Sequence, residues 1–138
     1  MGKRISRIGA LVATVAAAGT LVAGAGVANA APANACTDPH QASGIIGKWG
    51  PVSKSNCAIF GRPGFRAGYG WNVQEGTNQS ACVQGWGFDA KHPKGGWFSL
   101  GCGKSGKMTV PWGNMAANPQ VRVKSMGGSI AVIVDWRQ

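Results

Sequence analysis

The residues that could do chemistry are few and scattered. The only acids among 138 residues are Asp38, Glu75, Asp89 and Asp135, which gives a paired-carboxylate mechanism little to draw on. The histidines are His40 and His92. Ser99 or Ser105 together with His92 and Asp89 has the residue types of nucleophile, base and orienting acid. Asp89 and His92, however, fall at the tip of an expected hairpin, where a base is neither desolvated nor held in one rotamer. The pair therefore reads as part of a solvated loop. The run Gly101-Cys102-Gly103-Lys104-Ser105-Gly106-Lys107 imitates a dinucleotide glycine motif and most of a phosphate-binding loop. A phosphate cradle needs a helix N-terminus behind the glycines and a hydroxyl for magnesium. Here Met108 stands in the hydroxyl position and an alternating, strand-like pattern follows, so the run reads as a glycine-rich turn bearing two lysines. No catalytic, cofactor-binding or metal site is expected, and no enzymatic activity.

The cysteines are the other reactive residues. Cys36, Cys57, Cys82 and Cys102 are spaced by 21, 25 and 20 residues. That spacing holds no Cys-x-x-Cys knuckle, and neither histidine stands at ligand distance from a cysteine, which argues against zinc. Two disulfides are the natural alternative if the chain is exported. Its first thirty residues point that way. Lys3, Arg4 and Arg7 precede an apolar stretch from Ile8 to about Val27, and Ala28-Asn29-Ala30 offers a small-x-small cleavage site. The stretch is rich in Gly and Ala and lacks the bulky core and charged stop of a membrane anchor. Residues 1–30 are thus expected to be a cleaved secretory signal peptide, followed by an extended arm over 31–43 and a disulfide-stabilised domain over 44–138. Cleavage removes three cations and no acid, so the formal charge falls from +10 to +7 over the remaining 108 residues.

The elements that must position these residues alternate with period two. Tyr69, Trp71 and Val73; Met108, Val110 and Trp112; Val121 and Val123; and Ile130, Val132, Val134 and Trp136 each alternate with smaller or polar neighbours, as half-buried strands do. Gly, Pro, Asn and Ser clusters separate them. Seven or eight short strands at this spacing predict an all-β antiparallel sandwich or barrel. Only Asn114-Met115-Ala116-Ala117 suits a helical turn. Two apolar segments, Ser80 to Phe88 and Trp97 to Cys102, flank a polar tip centred near His92. Folding them about that tip sets Trp86 opposite Phe98, Gln84 opposite Leu100 and Cys82 opposite Cys102, all on one face. Opposed residues lie within disulfide reach, so Cys82–Cys102 is expected, leaving Cys36 to bridge Cys57.

What remains is surface chemistry. A strongly basic balance with six tryptophans suits contact with a partner surface. Trp71, Trp86, Trp112 and Trp136 share strand faces with other apolar residues and are expected in the core. Trp97 falls on the face opposite Phe98, Leu100 and Cys102, beside Lys91 and Lys94, and is the expected exposed anchor. Arg62 with Arg66, and Lys104 with Lys107, form two more basic loops. Three functional classes fit. The first is an extracellular protein-binding module, meaning an adaptor, subunit or inhibitor of a protease or other protein. The second is a cationic antimicrobial or envelope binder of anionic wall polymers or glycans. The third, a nucleic-acid binder, fits the charge but not the export.

The stretches Ala81-Cys82-Val83-Gln84-Gly85, Leu100-Gly101-Cys102-Gly103, Val110-Pro111-Trp112-Gly113-Asn114 and Val121-Arg122-Val123-Lys124-Ser125, over about residues 69–125, resemble small secreted actinobacterial proteins, most without assigned activity. Size, export route and cysteine content are similar to those of the small subunits of secreted actinobacterial antibacterial toxin complexes. That resemblance implies a structural linker between a toxin polypeptide and a surface-binding lectin, and it assigns a role to no individual residue.

Overall fold

Side chains that alternate inward and outward bury one face of a strand, and two such faces must cover each other. In the computed structural model, which describes residues 39–75, 78–127 and 130–138, this pattern resolves into ten strands and no helix. They are β1 (His40–Ile45), β2 (Ser53–Lys54), β3 (Ile59–Phe60), β4 (Arg66–Val73), β5 (Ala81–Gly87), β6 (Gly96–Gly103), β7 (Ser105–Pro111), β8 (Ala116–Ala117), β9 (Gln120–Ser125) and β10 (Ala131–Arg137). Two four-stranded antiparallel sheets form, ordered β1-β10-β4-β7 and β2-β9-β5-β6, with β3 and β8 as a separate ribbon. The result is an all-β sandwich of two sheets rather than a closed barrel. Along one side the sheets nearly meet, where Gly44 of β1 rests on the Val123 carbonyl of β9 and Ile46 bridges Ser125.

The signal peptide expected over residues 1–30 lies outside the described residues, as do 31–38 of the arm and Cys36, the expected partner of Cys57. His40–Ser43, the end of the expected arm, is the first part of β1 and pairs with β10 from His40↔Trp136 to Ser43↔Ile133. The helical turn expected around Ala116 is instead β8, with Phe60↔Ala116 and Ile59↔Ala117 paired. Four residues are too few to nucleate a helix unaided, and the β3 edge offers them immediate partners.

The core follows the alternation. Ala67, Tyr69, Trp71 and Val73 of β4 and Val132, Val134 and Trp136 of β10 face Ala81 and Val83 of β5, Val121 and Val123 of β9, and Leu100 of β6. Trp71, Trp112 and Trp136 are buried as expected. A buried indole N–H or phenol O–H needs an acceptor, and here three of those acceptors lie across the sandwich. Trp71 Nε1 donates to the Leu100 carbonyl at 3.1 Å, the Tyr69 hydroxyl to the Trp86 carbonyl at 2.8 Å, and Trp136 Nε1 to Ser53 Oγ at 2.9 Å. Each bond runs from the first sheet to the second and so fixes their stacking. Burial pushes the Tyr69 hydroxyl pKa well above its ordinary 10.0.

The β5–β6 hairpin holds the Cys82–Cys102 disulfide between directly paired residues, as expected. Its register is otherwise different. A bulge between Val83 and Gln84 pairs Gln84 with Ser99, Gly85 with Phe98 and Trp86 with Trp97. The expected pairs Trp86–Phe98 and Gln84–Leu100 are therefore replaced. The extra residue is taken up near Gly101, whose φ of 101° is a conformation that favours glycine. The bulge also flips the face: Leu100 is buried inward, while Cys102 is exposed on the outer side. Trp97 does oppose Phe98 and Leu100, but it shares its face with Cys102 and with Trp86, which is only half buried.

Candidate binding surface

A strand such as β9, Gln120-Val121-Arg122-Val123-Lys124-Ser125, buries its valines and must send Arg122 and Lys124 outward together. Cross-strand pairing then places Arg122 beside Gln84 and Lys124 beside Cys82, one row from the Trp86–Trp97 pair. The long Arg122 side chain lies across this face. Its guanidinium sits 4.5 Å from the Trp97 ring centre and 5.0 Å from that of Trp49, and its Nε donates to Gln84 Oε1 at 2.8 Å. Lys124 Nζ lies 4.9 Å over Trp49 as well. Trp97 meets Trp86 edge-on at 5.0 Å, and the Trp86 ring lies directly on the Gly95 backbone. Desolvation among these rings lowers the Arg122 pKa from its ordinary value. The outcome is a preorganised platform, Trp49, Arg122, Trp97 and Trp86 in sequence, on a flat sheet face.

Trp49 also belongs to a second feature. It lines a hollow of about 250 Å³ with Ile45, Gly50, Pro51 and Ala131, flanked by Lys48. Past the hollow the surface stays apolar: Ile45 and Ile133 are diagonal neighbours across β1 and β10, and the Ile46 amide bonds the Ile130 carbonyl. Ile46 is 56% exposed and Ile130 80%. Ile45 and Ile133 share the outer face and Ile46 and Ile130 follow on the alternate one; exposed isoleucines gathered at one end of a strand pair mark a contact surface more often than a stray exposed side chain does.

The residues expected from sequence to bind are divided by the fold. Trp97 is in the platform. Lys91 and Lys94 are exposed on the β5–β6 loop, Arg62 stands 5.8 Å over Phe65 in the β3–β4 loop, and Lys104 donates to Asn78 Oδ1 at 3.2 Å at the β6–β7 turn. Arg66 and Lys107 lie on the outer face of the other sheet, where Arg66 bonds both the hydroxyl and the carbonyl of Thr109. The glycine-rich run from Gly101 is the end of β6 and the start of β7, with no helix behind it. Trp49, Arg122 and Lys124 escaped the sequence reading, though the Val-Arg-Val-Lys alternation signals two cations on one face. Trp86, expected in the core, is also part of the platform.

Asp89 and His92 are more firmly held than a solvated loop implies. Asp89 Oδ1 accepts from the Lys91 and His92 amides at 2.9 and 2.7 Å and contacts His92 Nδ1 at 2.8 Å, while the imidazole packs edge-on to Phe98 at 5.5 Å. The histidine is therefore held in one orientation, although the pair stays solvent-accessible. Desolvation works against the Asp89 carboxylate, yet the hydrogen bonds and charge of His92 and the Lys91 amide outweigh it and hold the pKa below its ordinary value. Ser99 Oγ accepts from the Gly101 amide at 3.3 Å, which engages it in the bulge. The geometry is that of an Asx turn closing the hairpin tip.

Among the described residues no group of three or more His, Cys, Asp or Glu is gathered in a way that could hold a metal ion, and no helix is long and apolar enough to cross a membrane. Comparison with protein-family models, with curated proteins and with solved structures finds no match.

Proposed function

We propose that this chain is an extracellular, non-enzymatic protein-binding module that docks a partner protein on the isoleucine patch and the adjoining tryptophan–arginine platform. The observation that supports this most is the placement of Trp49, which joins the apolar hollow beside Ile45 to the Arg122 stack. Trp, Tyr and Arg dominate the energetic centres of protein interfaces, with apolar neighbours that exclude water around them. Rings already clamped by a guanidinium and by a glycine backbone lose little rotamer entropy on binding, which favours affinity. Export through a cleaved signal, a second bridge from Cys36 to Cys57, and a linker role in an antibacterial toxin complex of the kind the resemblance implies belong to the same proposal. An inhibitor would use the same surface.

The test compares mature oxidised protein with two variants, Ile133→Lys and Trp97→Ala, as baits in the producing organism's culture supernatant. A stoichiometric protein held by the unchanged chain, lost with Ile133→Lys and weakened with Trp97→Ala while both variants still melt cooperatively, supports the proposal. A partner retained equally by all three baits would refute the assigned surface. Recovery only on isolated cell walls, released by salt, would favour the envelope-binding class instead.

A further inference from the structure

β4 lies between β7, which pairs it from Arg66 to Asn72, and β10, which pairs it from Gly70 to Val73, yet its outward positions include two glycines. Gly68 and Gly70 face outward between Arg66 and Asn72 in Arg66–Val73. Glycine weakens a strand and needs a cause. The usual causes are missing here. Neither residue has the positive φ that favours glycine. A Cβ at Gly68 would meet nothing within 4 Å, and one at Gly70 only the Arg137 Cγ at 3.8 Å. The remaining cause for a bare strand interior is the close approach of something from outside.

The neighbouring strands say what could approach. Gly70 is paired with Lys107 on β7 and with Arg137 on β10, so one row across the sheet reads cation, gap, cation. With strands ~4.8 Å apart, the two cationic residues stand ~10 Å apart at Cα, and both side chains are long enough to close on one anionic group above the glycine. Among the described residues neither enters an ion pair. Arg66, held by Thr109, supplies a third cation at one end of the trough, and the Asn72 amide stands at the other, ~20 Å away along the strand. The nearest acid in the register, Asp135, pairs with Asn72 one row beyond the clamp. The hollow over Gly68 and Gly70 has a volume of about 500 Å³.

We infer that this trough binds a linear anionic glycan, its acidic group clamped between Lys107 and Arg137 and its chain lying over Gly68 and Gly70. A peptide adding as a strand is disfavoured at the clamp, because β4 is paired on both sides from Gly70 to Asn72 and strand addition needs a free edge. A chain recognised through its substituents needs what the trough offers: a bare floor, cations, and an amide for hydroxyls. The anionic group is a carboxylate or a phosphate diester, and the site uses none of the residues of the protein-docking patch, although Ile133 and Arg137 share the outer face of β10.

The test measures binding of mature oxidised protein to polygalacturonate, to a polyol-phosphate teichoic acid and to neutral dextran in physiological salt. Four chains are compared: the unchanged protein, Lys107→Gln/Arg137→Gln, Gly68→Val, and Lys91→Gln/Lys94→Gln, which removes the same charge from the β5–β6 loop. The clamp variant should lose affinity roughly tenfold or more. Gly68→Val should lose a similar factor by filling the floor while its melting temperature holds or rises, and the loop variant should stay within about twofold. Binding to one polymer or to both supports the inference and identifies the acid. Equal loss in both double variants would reduce the effect to net charge and overturn it. So would unchanged binding by Gly68→Val, equal affinity for dextran, or no binding to either acidic polymer. If Gly68→Val melts early, the contrast between the two double variants still decides.

Discussion

Arg122→Leu tests whether the platform is a clamped structure or four side chains that happen to be close. The substitution keeps part of the aliphatic stem and removes the guanidinium. Two cation–π contacts, at 4.5 and 5.0 Å, are worth ~0.5–1 kcal/mol each at a half-exposed site. The bond to Gln84 adds about 1 kcal/mol once solvent competition is allowed for. Retained stem packing returns part of this, so the expected loss is about 2 kcal/mol. For a domain of this size that lowers the melting temperature by roughly 8–15 °C. The sharper measurement is a double-mutant cycle with Trp97→Leu, read by urea unfolding followed by circular dichroism. The coupling should be about 0.5–1 kcal/mol, and most of it should persist in about 1 M salt because contacts shielded from solvent are screened less. Additivity within about 0.3 kcal/mol at low salt would show that the guanidinium and the Trp97 ring do not stabilise each other, and the preorganisation argument would fail with it.

Three further outcomes are expected. Tyr69→Phe leaves the Trp86 carbonyl without its partner and should cost ~1–3 kcal/mol at neutral pH. The folded-state pKa of Tyr69 lies above its ordinary 10.0, so its contribution is complete below pH 10 and is lost as pH rises beyond that value; urea midpoints from pH 8 to 11 should therefore fall more steeply for the unchanged protein than for the variant. Replacing Cys82 and Cys102 by alanine opens a loop with a sequence separation of 20, a loss of about 3 kcal/mol in the chain-entropy model; a differential-scanning shift equivalent to under about 1 kcal/mol would mean the hairpin survives in the unfolded chain. Gly101→Val and Gly68→Val enter equally open space but differ in backbone: the first should destabilise by ~1–3 kcal/mol through strain at positive φ, and the second should be neutral or stabilising by up to ~1 kcal/mol, as thermal melts would show.

How much of this was legible in the sequence depended on whether a signal was local. Period-two alternation in Tyr69 to Val73 or Val121 to Lys124 marks a strand because burial on one face is decided within a few residues. The Cys82–Cys102 pairing followed from folding a hairpin about its loop. The same reasoning misplaced Trp86 and Gln84 because one residue inserted at a bulge changes register on one side of itself only. The two errors cancelled at the cysteines: the assumed centre of the tip was offset, and the bulge near Gly101 restored the pairing by Cys102. The residue left without a cross-strand partner is Leu100, between Ser99 and Gly101, and nothing in Ser99-Leu100-Gly101-Cys102 marked it out from an ordinary strand residue.

The surface was less legible, for a physical reason. Trp97 was identified from its place near a basic tip, but what holds it is Arg122, 25 positions later in the chain, brought alongside only because β9 pairs β5 and β5 pairs β6. Trp49 sits in a short loop with no periodicity, and its partners come from β9. A sequence records which residues are large, charged or aromatic, whereas a platform is a property of strand order. The outward glycines of β4 make the same point in reverse. Gly68 and Gly70 read as spacers between Tyr69 and Trp71 until their neighbours are known. Once Lys107 and Arg137 flank Gly70 on either side, the missing side chain becomes the floor of a cationic trough. Two sheets packed by tryptophans therefore expose different chemistry on their outer faces: aromatic rings stacked with Arg122 around Trp97 on one, and on the other a bare, basic trough around Gly70 that shares its face with Ile133.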